Sequence, residues 1–212
     1  MSLAKLPVLW KALERTGAEK LFRVERNPGR LLAEGFRPDP RMNAATEPAG
    51  LFFAKDREQL GRLIDPFSGP RSWGRLKKRL AERPSETEMV TAMPYPDTVT
   101  RSFTNAEWWD FLGETGEQVG IPASKVWQSM DEWGKVPFGY KNKFEDLRQQ
   151  LSENLSPYDI IDIPDVYFGK GSRIQSVVRK PGKILAKIGD IYKPLGVAAP
   201  AIGAFQPETE NE

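Results

Sequence analysis

Leu6, Leu9, Trp10 and Leu13 recur at three- and four-residue spacing, and this predicts a helix over Leu3–Ala18. Leu21–Arg26 then alternates as a strand does, and Asn27-Pro28-Gly29 turns the chain. Arg30–Glu34 reads as one helical turn stopped at Gly35, ahead of a Pro- and Arg-rich loop over Phe36–Ala49. Gly50–Ala54 is a compact apolar run, predicted as a buried strand, and Asp56 is placed to cap a helix through Ile64. The basic stretch Trp73–Leu80 reads as helical. Strands are predicted over Glu86–Met93 and Thr98–Phe103, around the turn Pro94–Asp97.

The middle of the chain switches to helical spacing. Thr104 caps a helix through Leu112; Val126, Met130 and Trp133 mark a second, over Pro122–Trp133. Phe144, Leu147, Leu151 and Leu155 mark a third, over Phe144–Leu155. Strands return at Ile160–Ile163, Ser172–Val178 and Lys183–Lys187, and the polar tail 206–212 is expected to fray. The order helix, strands, helices, strands does not alternate as a doubly wound sheet requires. It predicts a single α+β domain over residues 1–212, with 104–155 as a Trp-rich helical insertion.

Cysteine and histidine are both absent, which removes disulfides, Cys/His zinc sites, Cys nucleophiles and His-based triads. Lack of cysteine suits a reducing compartment, so a cytoplasmic location is expected. Neither a secretory leader nor an apolar stretch long enough for a membrane span is read in the sequence; the apolar segment Leu195–Phe205 is short and broken by Pro200. The net charge of +2 is unevenly spread. Residues 1–103 hold 19 Lys/Arg against 13 Asp/Glu, whereas 104–155 hold 5 against 9. The basic first part, with Arg71, Arg75, Lys77, Lys78, Arg79 and Arg83 close together, suits either solvent or an anion such as a dinucleotide or a nucleic acid. Trp108, Trp109, Trp127, Trp133 and Tyr140 lie on the acidic segment, where stacking on nucleic acid is disfavoured; core packing or protein docking fits them better.

Three stretches together resemble small ADP-ribosyltransferases. Leu21-Phe22-Arg23-Val24, followed by Leu31-Leu32-Ala33-Glu34-Gly35-Phe36-Arg37-Pro38, is similar to their opening strand and short helix. Gly50-Leu51-Phe52-Phe53-Ala54-Lys55-Asp56 is similar to their next strand. Tyr158-Asp159-Ile160-Ile161 and Ser172–Ile184 are similar to the closing segment of transferases of phage and mobile-element polyvalent proteins. The likeness covers about the first 100 and last 50 residues, and the Trp-rich middle lies outside it. It implies a split sheet holding NAD as substrate in a cleft, and modification of a macromolecular target.

Carried over by position, the resemblance gives Arg23 to the ribose or phosphate, Phe53 or its neighbour Phe52 to the nicotinamide, and Gln175 to the ribose and acceptor. Glu88, in Glu86-Thr87-Glu88, is a second candidate for the acidic role. The chemistry agrees in part. A guanidinium clamps pyrophosphate and an aromatic face stacks on nicotinamide, but Gln175 brings no charge to an oxocarbenium-like transition state. Plainer roles stand beside these: a salt-bridged strand arginine, core phenylalanines, an exposed strand glutamine and glutamates in a solvated turn. Three functions therefore remain open: an ADP-ribosyltransferase-like enzyme; a catalytically degenerate interaction protein of a phage virion or other assembly; and a nucleic-acid-binding module.

Overall fold

The computed structural model describes residues 5–25, 48, 50–64, 74, 78, 88–131, 135–164, 174–188 and 191–194. The chain forms α1 (Leu6–Arg15), β1 (Leu21–Glu25), β2 (Leu51–Ala54), α2 (Arg57–Ile64), β3 (Glu88–Pro94) and β4 (Thr100–Ser102). It continues with α3 (Asn105–Gln118), α4 (Ala123–Asp131), α5 (Lys141–Asn154), β5 (Ile160–Pro164), β6 (Ile174–Val178), β7 (Ile184–Ile188) and β8 (Ile191–Pro194). The α+β expectation holds.

The strands hydrogen-bond in the order β4-β5-β6-β2-β1-β3-β7-β8. All neighbours are antiparallel except β4 and β5. The ladder is uneven. Among the described residues, antiparallel β1 and β2 share the single registered pair Phe22–Ala54, whereas β1 runs in register with β3 from Leu21 to Glu25, and β2 with β6 from Leu51 to Ala54. The eight strands form one sheet, and its shortest registered pairing among the described residues, β1 with β2, lies between the β4-β5-β6-β2 half and the β1-β3-β7-β8 half as a thin seam. Gly50 lets β2 start close against β6, since a Cβ there would collide with Val177 and with the Val178 carbonyl.

The helices lie on one face. Leu6, Trp10 and Leu13 of α1 pack on Met93 and Leu185, and Trp10 meets the Tyr192 ring edge-on at 5.6 Å. Leu60 of α2 packs on Phe22 and Ala54. The α3–α5 lobe packs Trp108, Leu112, Val126, Phe144, Leu147 and Leu151 on Ile161, Ile163 and Val177. The opposite face carries a second apolar cluster that includes Leu21, Leu51, Phe53, Val90, Ile160 and Val178.

Local signals explain most of these elements. Pro7 opens α1, and Gly17, at φ +74°, turns the chain out of it. Thr104 and Glu107 form a reciprocal capping box at the start of α3. The helix then runs six residues past the expected stop at Leu112, through Gly113 and Gly116. The two glycines face α4: a Cβ on Gly116 would collide with Val126, and one on Gly113 would sit 3.1 Å from Ala123 Cβ. Close helix packing outweighs the poor helix propensity of glycine here. Strand β8 was not expected. The segments Arg30–Glu34, Leu195–Phe205 and 206–212 lie outside the described residues. Among the described residues, no helix is long and apolar enough to cross a membrane.

Candidate functional site

Side-chain alternation fixes what each face offers. Registered pairs place Ile163, Gln175, Ala54 and Phe22 in one row on the helix-bearing face. The adjoining row on the opposite face holds Ser102, Asp162, Ser176 and Phe53, and Arg23, next to Phe22, points the same way.

Arg23 sits at the seam. Its Nη1 donates to the Phe52 carbonyl of β2 at 3.2 Å, and its Nε lies 3.6 Å from Glu25 Oε2. The guanidinium therefore bridges the half-sheets where the backbone ladder thins. Phe53 is buried to 1% exposure in the apolar cluster of that face. Phe52, on the helix-bearing face, is half-buried against the α3–α5 lobe. One phenylalanine of the pair is thus core, as alternation requires, and the other meets the helices.

Gln175 lies on the helix-bearing face at 5% exposure, away from Arg23 and Phe53. Its Nε2 has no hydrogen-bond partner among the described residues. Arg23, Phe53 and Gln175 accordingly do not line one cleft. Glu88 is the first residue of β3, in register with Glu25. Glu86, and Arg71–Arg83 except Gly74 and Lys78, lie outside the described residues.

The polar centre of the face that carries Arg23 is Asp162, which the sequence reading did not single out. Its buried carboxylate accepts from Ser176 Oγ at 2.6 Å, Ser102 Oγ at 2.8 Å and Lys55 Nζ at 2.7 Å. Lys55 also reaches Glu19 Oε2 at 3.2 Å. Burial pushes the Lys55 ammonium toward deprotonation, but Asp162 and Glu19 outweigh it and hold its pKa above the usual lysine value. The signal available in the sequence was an acid inside the apolar run Ile160–Ile163, where a buried charge needs partners.

A second buried acid, Asp159, secures the parallel pairing of β4 with β5. Its Oδ2 accepts from the Val99 N–H at 2.9 Å, and Oδ1 pairs with Lys180 at 2.9 Å. Burial raises its pKa, yet the Val99 N–H and Lys180 more than compensate and leave it below the ordinary aspartate value.

The Trp residues divide. Trp108 is core, stacked on Phe111 at 5.7 Å; Trp127 is 38% exposed and donates to the Trp109 carbonyl at 3.1 Å. Trp133 lies outside the described residues. No family model, curated protein or solved structure matches the chain.

Proposed function

We propose that the protein is an ADP-ribosyltransferase-like domain that binds NAD at the β1–β2 seam, modifying a macromolecular target. The observation that carries this reading is the position of Arg23: it is on the first strand and at the seam between β1 and β2, where the likeness calls for a phosphate- or ribose-binding residue and a split sheet. Phe52 lends Arg23 its backbone carbonyl, while its half-buried ring turns to the helix-bearing face, against the α3–α5 lobe. Rather than Gln175, the carboxylates of the Arg23 face are Glu25, 3.6 Å from Arg23 Nε, and the buried Asp162. Asp162 lies three strands from Arg23, about 14 Å at ~4.8 Å per strand, so only an extended ligand spans both. Calorimetric titration of NAD, with nicotinamide release followed in parallel, tests the reading. Binding is expected to weaken at least tenfold in Arg23→Met.

A second reading has its own observation: Gln175 and Phe53 are buried on opposite faces, and Asp162 is already held by three donors. A catalytically degenerate domain that serves as an interaction protein in a larger assembly accommodates these features. NAD binding with no nicotinamide release under any condition favours it over the enzyme. The nucleic-acid reading rests on sequence charge alone.

A further inference from the structure

Two exposed helix faces at opposite ends of the strand order are complementary in charge and in apolar content. Along α1, packed at the β7–β8 end, Lys5 at its N-cap and Val8, Lys11, Ala12 and Arg15 within it are all exposed. At 100° per residue they form one contiguous face opposite the buried Leu6, Trp10 and Leu13. Val8, at its centre, is 69% exposed. The acidic residue of this helix, Glu14, is tied to Lys20 at 2.7 Å. The face is therefore a basic rim around an aliphatic centre.

On the lobe at the other end, Asp110, Glu114 and Glu117 are exposed at spacings of four and three along α3, forming an acidic ridge. Beside it the Trp127 ring of α4 lies over Gly113, with the half-buried Trp109 next to it. Lys125 of α4 bonds Gln128. Half-exposed tryptophans flanked by acids are suited to an apolar surface with a basic rim.

We propose that the acidic, Trp-bearing face of α3–α4 docks on the basic α1 face of a second copy of this chain, head to tail. The charge balance supports self-association, since the basic 1–103 part and the acidic 104–155 part belong to one chain. Because the two surfaces differ, the contact is heterologous and propagates into rings or filaments rather than stopping at a two-fold dimer. The inference is independent of NAD binding.

Sedimentation velocity on the full chain tests it. The wild type is expected to sediment faster as concentration rises at low salt, and its association constant to fall about tenfold or more at 0.5 M salt, where charges are screened within a few ångströms. Lys11→Glu/Arg15→Glu and Asp110→Lys/Glu114→Lys are each expected to be folded by circular dichroism and monomeric. Mixed together, they are expected to associate again, because each variant then offers what the other lacks. A wild type that stays monomeric at every concentration and salt overturns the proposal. So does association that survives the charge reversals, or a mixture that stays monomeric.

Discussion

The Lys55 ammonium meets the Asp162 carboxylate at 2.7 Å, tying the end of β2 to β5 across the intervening β6. Removing the lysine leaves a buried carboxylate with Ser102 and Ser176 as its donors among the described residues. Lys55→Met is therefore expected to lower stability by about 3 kcal/mol, the usual cost of breaking one side of a buried pair. Urea unfolding measures it. Lys55→Met/Asp162→Asn is expected to recover part of the loss, because the amide keeps an acceptor for a serine without a buried charge. Equal losses in the two variants would mean that the charge of Asp162 is not the cause.

Lys55 and Asp159 are expected to shape the pH dependence of stability. Lys55 has a raised pKa, so its contribution is complete below the unfolded value and is lost as pH climbs through the higher folded value. Asp159 has a lowered pKa, so its contribution is complete above the unfolded value, near 4, and is lost as pH falls through the lower folded one. Thermal melts across pH are expected to show a plateau at neutral pH, a fall below about pH 4 and a second fall above about pH 10.5. In Lys55→Met the alkaline fall is expected to shrink. An unchanged alkaline limb in that variant would contradict the assignment.

Gln175 buries an Nε2 that finds no acceptor among the described residues, and an unsatisfied polar group costs about 1–3 kcal/mol. Gln175→Met, similar in shape, is expected to leave stability unchanged or raise it by about 1 kcal/mol, measured by chemical unfolding. NAD binding, if located at the Arg23 seam, is expected to persist in this variant. A marked loss of stability would show that the carboxamide has a partner that matters.

The α3–α4 contact depends on glycine. Gly116→Ala directs a methyl group into Val126, and overpacking of this kind costs about 1–3 kcal/mol despite the better helix propensity of alanine. A lower midpoint in thermal unfolding is the expected result, and a raised one would mean that the helices part without penalty.

Elements defined by local spacing were legible in the sequence: α1 from Leu6, Trp10 and Leu13, α5 from Phe144, Leu147 and Leu151, and the start of α3 from Thr104 and Glu107. What failed to show was set by neighbours in space. The stop expected at Leu112 ignored that Gly113 and Gly116 are demanded by α4. The sequence offered Gln175 as a ligand residue or an exposed strand glutamine; its register with Ala54, and that of Ser176 with Phe53 and Asp162, decides the matter. In that decision the glutamine goes beneath the helices and the serine joins Asp162, so the polar centre on the Arg23 face differs from the one the sequence offered. Arg23 was legible as a strand arginine and, through the resemblance, as a ligand residue; its place at a seam was not, because the thin pairing of β1 with β2 has no local signature.

The seam gives the central claim its most direct test. Two-dimensional NMR of the uniformly 15N-labelled protein, titrated with NAD to millimolar concentration, reads every backbone amide at once. The account expects saturable shifts concentrated at Arg23, Phe52, Phe53 and Lys55, strongly reduced in Arg23→Met. Spectra that do not move at those residues, at any NAD concentration, would contradict it.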